Sequence, residues 1–279
     1  MLALSPEVGY IHEPFNPEHR PGVCKAKFEY WFTYVCDQNE SLFIDDFRRT
    51  LCFDYGFSRE MASVKSLKDF LRLFRDYGLF LLYKSQARRP LVKDPIALFS
   101  TEWLVDRFAM NPVILVRHPA AFAGSLKKAG WFYPFKDFII QPLLMERYLE
   151  SYRLSINKQI FESKDIIGQA ILLWNLFHAV ILEFRNLHSE WIFLKHEDLS
   201  RDPVEKLQKL FHSLELEFPE EANKLIHRST SGEGGVNQFK RNSRSNIFEW
   251  KKRLSAREVE RIHRGTNHIS KHFYTDDEW

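Results

Sequence analysis

The segment 113–126, VILVRHPAAFAGSL, combines a cation and a hydroxyl with a pattern that predicts a strand followed by a helix. Four apolar residues open it, three of them β-branched, which is typical of a buried parallel strand. Pro119 then favours a helix start. Arg117 lies between them, where parallel sheets bind ligands and helix N-termini attract anions, and Ser125 follows eight residues later. The pattern predicts a phosphate site, the alternative being an ordinary strand-to-helix turn with a surface arginine.

Short apolar runs alternate with amphipathic segments along the chain. Strands are predicted at 8–12, at 91–92, at 113–116 and at 191–194, with a further short apolar run at 79–83. Helical spacing covers 28–35, 43–51, 64–77, 98–108, 138–154, 166–188, 203–214, 219–227 and 256–265. Ser255 and Glu258 form the signature of a capping box before the last helix. This alternation predicts an α/β fold layered around a parallel sheet.

Composition narrows the class of protein. The net charge is +3, from 40 basic and 37 acidic residues, which is too balanced for a dedicated nucleic-acid-binding domain. Cys24, Cys36 and Cys52 include no CxxC pair, so we expect no disulfide framework, no metal site and a cytoplasmic location. The longest apolar run, 170–184, is too short and too polar for a transmembrane segment. The sequence does not reveal the oligomeric state.

Four segments, in order, resemble sulfotransferases that use 3′-phosphoadenosine 5′-phosphosulfate (PAPS), the carbohydrate sulfotransferases above all. RPLVKDP (89–95) resembles the family's lysine-bearing strand, and 113–126 resembles its 3′-phosphate motif. WIFLKHEDLSRDP (191–203) resembles a later strand with an acidic turn, and 240–262 resembles the basic loop and terminal helix. The resemblance implies one domain over 1–279, with a P-loop-like three-layer fold in which helices flank a central parallel sheet.

The resemblance also implies roles for particular residues. Arg117 and Ser125 would bind the 3′-phosphate, and Lys93 would stabilise charge on the leaving phosphate. The stretch 2–17 is similar to the one that carries the catalytic base in carbohydrate sulfotransferases. By that analogy Glu13 is the first choice for the base and His12 the second. For each of these residues the alternative is a structural role in a loop or on the surface.

The resemblance implies that Arg241 and Arg244 also bind the 3′-phosphate. Here Arg-Asn-Ser stands where the family has Arg-Lys-Gly. The family also wraps the 5′-phosphosulfate in a loop rich in Gly and Ser or Thr, and the run at 232–235 is no substitute because no strand precedes it. We therefore expect the first strand and the phosphate loop to be missing from this chain.

The function implied is that of a nucleotide-binding transferase, which moves a sulfuryl group from PAPS to a hydroxyl or amine. The acceptor would be a small molecule or a carbohydrate, and no metal would be required. One alternative is an inactive, truncated family member. Another is a relative of P-loop kinases, although GxxxxGK[ST] does not occur. His118, His178 and His196 lack metal-ligand spacing and are interpreted as structural, and Glu197 and Asp198 as helix-entry residues.

Overall fold

A computed structural model describes residues 1–161, 164–230 and 247–279. The chain divides into two compact units, one formed by Met1–Met110 with Phe211–Pro219 and the other by Asn111–Leu210 with Glu220–Trp279. Each unit contains a two-stranded parallel sheet together with helices, which confirms the predicted α/β class. Because the described strands form two separate pairs, the central P-loop-like sheet is not confirmed.

The first unit is built around strands β1 (Val8–His12) and β2 (Arg89–Lys93), which pair in parallel with His12 opposite Lys93. Its helices are α1 (Ile44–Leu51), α2 (Phe57–Ser63), α3 (Leu67–Ser85) and α4 (Thr101–Phe108), with 3-10 turns at Leu2–Leu4, Glu40–Leu42 and Pro95–Ser100. A parallel pair needs a long crossover, and α1 to α3 supply it. The apolar run at 79–83 belongs to α3, which continues to Ser85.

The helix predicted over 28–35 is wrong, because this segment contains turns and irregular backbone. Phe32 has a φ of 59°, which no right-handed helix accepts. Ser100 satisfies the backbone instead: its Oγ accepts from the Val35 N–H at 2.9 Å and donates to the Thr33 carbonyl at 2.8 Å. Phe28 is buried and stacks on Phe15 with ring centroids 4.2 Å apart. The apolar spacing therefore reflects burial in an irregular segment and not a helical face.

The second unit is built around strands β3 (Val113–Val116) and β4 (Ile192–Lys195), which also pair in parallel. Its α-helices are α5 (Pro119–Ala129), α6 (Lys136–Ile139), α7 (Pro142–Leu144), α8 (Arg153–Phe161), α9 (Ile166–Leu187), α10 (His196–Arg201), α11 (Pro203–Ser213), α12 (Glu220–Thr230), α13 (Trp250–Arg253) and α14 (Ala256–Ser270). A π-helical turn covers Met145–Leu149, and 3-10 turns cover Glu150–Tyr152 and Asp276–Glu278. Helices α5, α9 and α14 pack against one another.

The predicted helix over 138–154 is interrupted. Pro142 lacks an N–H and disfavours helical backbone in the residue before it, and Gln141 accordingly has φ −106° and ψ 87°. The Gln141 side chain donates to the carbonyl of Asp137 at 2.7 Å. Helix α14, by contrast, begins with the predicted capping box of Ser255 and Glu258.

Helix α9 is the buried core helix that the sequence predicts. The run 170–184 is too short and too polar for a membrane span by itself, but the whole helix of 22 residues has the length and composition of one, and among the described residues no other helix does; 61% of its most apolar window is buried inside the protein. Two of its buried polar side chains form hydrogen bonds: Asn175 donates to the carbonyl of Gly265, and His178 Nδ1 is hydrogen-bonded to the carbonyl of Trp174, each at 2.9 Å. Burial lowers the pKa of His178 to about 3, so its imidazole is neutral.

Candidate functional site

Glu13 and Lys93 meet at the carboxyl ends of β1 and β2. The Glu13 N–H donates to the carbonyl of Lys93 at 2.9 Å and so continues the ladder beyond the last strand pair. The Lys93 ammonium forms an ion pair with the Glu13 carboxylate. Asn16 Nδ2 donates to the other carboxylate oxygen at 3.2 Å. Because the side chain of Lys93 is 50% exposed and that of Glu13 is 20% exposed, solvent reaches both groups.

The turn that carries Glu13 is strained and fixed by a neighbour. Glu13 has a φ of 42°, in the left-handed region that costs a residue with a Cβ about 1 kcal/mol. The Asp94 carboxylate holds two segments of backbone together. It accepts from the Phe15 N–H, two residues after Glu13, at 2.7 Å and from the Ile96 N–H at 2.9 Å. Burial raises the pKa of Asp94 to about 6 despite these two bonds.

Asp94 was not among the predicted site residues. The signal that could have found it is the Asp-Pro step that follows Lys93, since aspartate before proline favours the start of a turn. The carboxylate caps the 3-10 turn Pro95–Ser100. Asp94 is thus a positioning residue for the Glu13 turn.

The charges around Glu13 keep it ionised. Burial raises the pKa of Glu13, but the hydrogen bonds from Lys93 and Asn16 and the charge of Lys93 outweigh it and hold the pKa below its ordinary value. The Tyr10 hydroxyl is hydrogen-bonded to His12 Nδ1 at 3.0 Å, and the two rings stack. Burial raises the pKa of Tyr10, and the nearby charges of Lys93 and Glu13 act on it in opposite directions. The cluster offers a carboxylate that can take a proton and an ammonium that can stabilise negative charge.

In the second unit Arg117 follows β3 directly, and its carbonyl accepts from Trp174 Nε1 at 2.9 Å. Ser125 lies on α5, half-buried. His196 begins α10 at the carboxyl end of the neighbouring strand. Burial lowers the pKa of His196, and the positive charge of Arg117 lowers it further. The structure thus places a guanidinium-bearing residue and an imidazole-bearing residue at the carboxyl ends of two paired strands.

The N-terminus of α5 is already occupied by side chains of the protein. The His118 N–H donates to Glu197 Oε1 at 3.0 Å, and the Ala120 N–H donates to His118 Nδ1 at 3.2 Å. The other Glu197 oxygen accepts from the Tyr274 hydroxyl at 3.0 Å. These two N–H groups are not available to a phosphate while the bonds are in place. An anion here would be held by side chains and not by the helix terminus that the sequence suggests.

His118 and Glu197 have the structural roles that the sequence predicts. His118 is buried, stacks on Trp250 at 5.3 Å and meets the Trp279 ring edge-on at 4.5 Å. Burial lowers the pKa of His118 to about 3. Glu197 is buried in the first turn of α10, and Asp198 follows it there.

The structure therefore brings Glu13 together with Lys93 and His12 in the first unit, and it places Arg117 and Ser125 in the second. Arg241 and Arg244 lie outside the described residues. Among the residues described, no three His, Cys, Asp or Glu side chains cluster in a way that could hold a metal ion. Comparison of the chain with protein-family models, with curated proteins and with solved structures finds no match.

Proposed function

We propose that this chain is a PAPS-dependent sulfotransferase of the carbohydrate type. One observation carries the proposal: Glu13, Lys93 and Arg117 each lie at the carboxyl end of a parallel strand. Ligands of parallel sheets bind at the carboxyl ends of the strands. The four ordered sequence segments supply the identity of the ligand, because they resemble sulfotransferase motifs and include three of the four strands.

The same proposal includes the architecture of the parallel sheet. Strands β1 and β2 form one parallel pair, β3 and β4 form another, and no described strand pairs with the second edge of β2 or of β3. We propose that the chain has the P-loop-like three-layer fold that the resemblance implies, in which helices flank a central parallel sheet.

The chemical step moves a sulfuryl group in line. The acceptor oxygen or nitrogen attacks sulfur, the bond from sulfur to the phosphate oxygen breaks, and 3′,5′-adenosine bisphosphate leaves. Such a reaction depends mainly on positioning and on stabilisation of charge. Arg117 and Ser125 hold the 3′-phosphate, Glu13 takes the acceptor proton, and Lys93 stabilises the charge that develops on the leaving oxygen.

Because the ion pair can open, Lys93 and Glu13 can act one after the other in the reaction. An exposed pair of this kind is worth only about 0–1 kcal/mol, so opening it is easy. As negative charge develops on the leaving oxygen, Lys93 moves from Glu13 towards that oxygen. The loss of Lys93 raises the pKa of Glu13 at the moment when the acceptor releases its proton.

A transfer assay tests the proposal. The chain is incubated with PAPS labelled in the sulfuryl group and with a panel of carbohydrates and small hydroxyl compounds, and labelled product and released 3′,5′-adenosine bisphosphate are measured. A parallel assay uses ATP labelled in the γ-phosphate. Sulfuryl transfer supports the proposal. Phosphoryl transfer from ATP in its place would identify a P-loop kinase relative, and 3′,5′-adenosine bisphosphate binding without transfer would identify an inactive family member.

A further inference from the structure

Helix α3 carries apolar side chains on two opposite faces. The inner face includes Leu73, which is fully buried, and Phe80, which packs edge-on against Phe53. The helix has 19 residues and a side-chain cap, since Ser66 Oγ accepts from the Asp69 N–H at 3.2 Å. The packed inner face and the cap keep the helix formed whatever covers its outer face.

The outer face of α3 is large and exposed. At 100° per residue, a range of about 120° contains six large apolar residues and Gly78. The exposed fractions are Leu67 74%, Phe70 38%, Leu71 63%, Phe74 47%, Leu81 47% and Leu82 42%. Together they present on the order of 500 Å², near the upper limit of what a soluble monomer leaves uncovered. A Cβ built on Gly78 would meet nothing within 4 Å, so the centre of the face is open.

Basic side chains border this outer face. On the same helical projection Arg75, Lys68 and Arg72 lie along one side and Lys84 lies along the other. The acidic residues of the helix are turned away from the face. Asp69 accepts from Ser66 at the N-terminus, and Asp76 is bound by Arg20 and Arg75. Lys84 forms an exposed ion pair with Asp54, and such a pair contributes only about 0–1 kcal/mol, so it opens easily.

We infer that the outer face of α3, bordered by Lys68, Arg72, Arg75 and Lys84, docks on an anionic lipid membrane surface. Helices that lie in the membrane interface combine Leu and Phe on one face with Lys and Arg beside it. The lysine and arginine stems extend along the apolar surface while their charges reach lipid headgroups. A second copy packed on this face would bring further Lys68 and Arg72 side chains to a border that is already basic, whereas anionic headgroups would complement them, which favours lipid as the occupant. This inference is independent of the sulfotransferase proposal.

The test is flotation of the full chain with vesicles of phosphatidylcholine that contain about one third phosphatidylserine, compared with pure phosphatidylcholine. Binding to the anionic vesicles is expected, and it should weaken as NaCl rises from about 0.05 to about 0.5 M, because salt screens the headgroup attraction. The double variant Leu71→Ser with Phe74→Ser should lower the vesicle partition coefficient about tenfold or more, since both side chains contribute apolar area. Lys68→Gln with Arg72→Gln should lower binding to the anionic vesicles alone.

Leu154→Ser is the matched control, because Leu154 is 84% exposed on α8 and lies outside the face. It should bind vesicles as the parent chain does, and thermal unfolding followed by circular dichroism checks that every variant is folded. Absence of vesicle binding by the parent chain would overturn the inference. Equal binding by the parent and both α3 variants would also overturn it. Sedimentation velocity that shows a dimer abolished by the Leu71 and Phe74 changes, without vesicle binding, would assign the face to a second copy.

Discussion

Glu13 and Lys93 lie 80 positions apart in the sequence, yet the fold joins them twice at the ends of two adjacent parallel strands. The Glu13 N–H donates to the Lys93 carbonyl at 2.9 Å, and the two side chains form an ion pair. The backbone bond fixes where the carboxylate sits, while the exposed ion pair is free to open. This combination suits a base whose partner must move during the reaction.

Replacing Glu13 by glutamine should reduce sulfuryl transfer by about two to four orders of magnitude, the usual effect of losing a general base. Binding of 3′,5′-adenosine bisphosphate should stay unchanged, because the carboxylate is not assigned to the nucleotide. Glu18→Gln, an exposed change five residues away, is the control and should leave transfer intact. Near-normal turnover in Glu13→Gln would show that the base lies elsewhere.

The Lys93→Met variant should move the acid limb of the pH–rate profile to higher pH. In the parent chain Lys93 helps to hold the pKa of Glu13 below its ordinary 4.5, so the base stays ionised until the pH falls below that value. Without the ammonium, burial dominates and the pKa rises. The measurement is kcat/KM across the acid range. An acid limb that is identical in the two proteins would mean that Glu13 does not govern it.

The half-buried Asp94 should make the folded state less stable as pH rises from 3.8 to about 6. Its folded pKa is raised to about 6 from 3.8, so in that range the folded chain holds a proton that the unfolded chain has lost. The difference is on the order of 2–3 kcal/mol and should be absent from Asp94→Asn. Urea unfolding of both proteins at several pH values measures it. Stability curves that run parallel would contradict the raised pKa.

Replacing Glu197 by alanine should destabilise the folded chain by about 2–4 kcal/mol, because the His118 N–H and the Tyr274 hydroxyl would lose their acceptor in a buried setting. Asp198→Ala is the control. Asp198 is 42% exposed and its ion pair with Arg201 contributes little, so the change should cost less than about 1 kcal/mol. Urea unfolding gives both values, and equal effects would mean that Glu197 is not the link between these elements.

The local sequence pattern predicted those strands and helices that are apolar throughout or have a clear capping signature. Strand β3 follows from four consecutive apolar residues, helix α9 from its length, and the start of α14 from Ser255 and Glu258. Segment 28–35 could not be predicted, because its backbone is satisfied by Ser100, which is far away in sequence. Tertiary contacts of that kind leave no local pattern.

The features of the candidate site divide in the same way, into those that the sequence indicated and those that depend on tertiary contacts. The strand-to-helix pattern indicated Arg117, and the family resemblance indicated Glu13 and Lys93, which follow short apolar runs. The pairing of Glu13 with Lys93 depends on the register of β1 and β2, which the sequence does not state. The hydrogen bond from the His118 N–H, at the start of α5, to Glu197 joins residues that lie 79 positions apart in the sequence. Both are consequences of strand pairing and packing rather than of motif.

The measurement that tests the central claim most directly is calorimetric titration of the chain with 3′,5′-adenosine bisphosphate and, separately, with 5′-AMP, which lacks the 3′-phosphate. We expect the bisphosphate to bind about tenfold or more tightly, the value of a charge-assisted contact, and Arg117→Met to remove most of this preference. The Ser125→Ala variant should reduce the preference less, since a neutral hydroxyl contributes less than a guanidinium. Equal affinity for the two nucleotides, or no binding of either, would contradict the assignment of Arg117 and with it the sulfotransferase proposal.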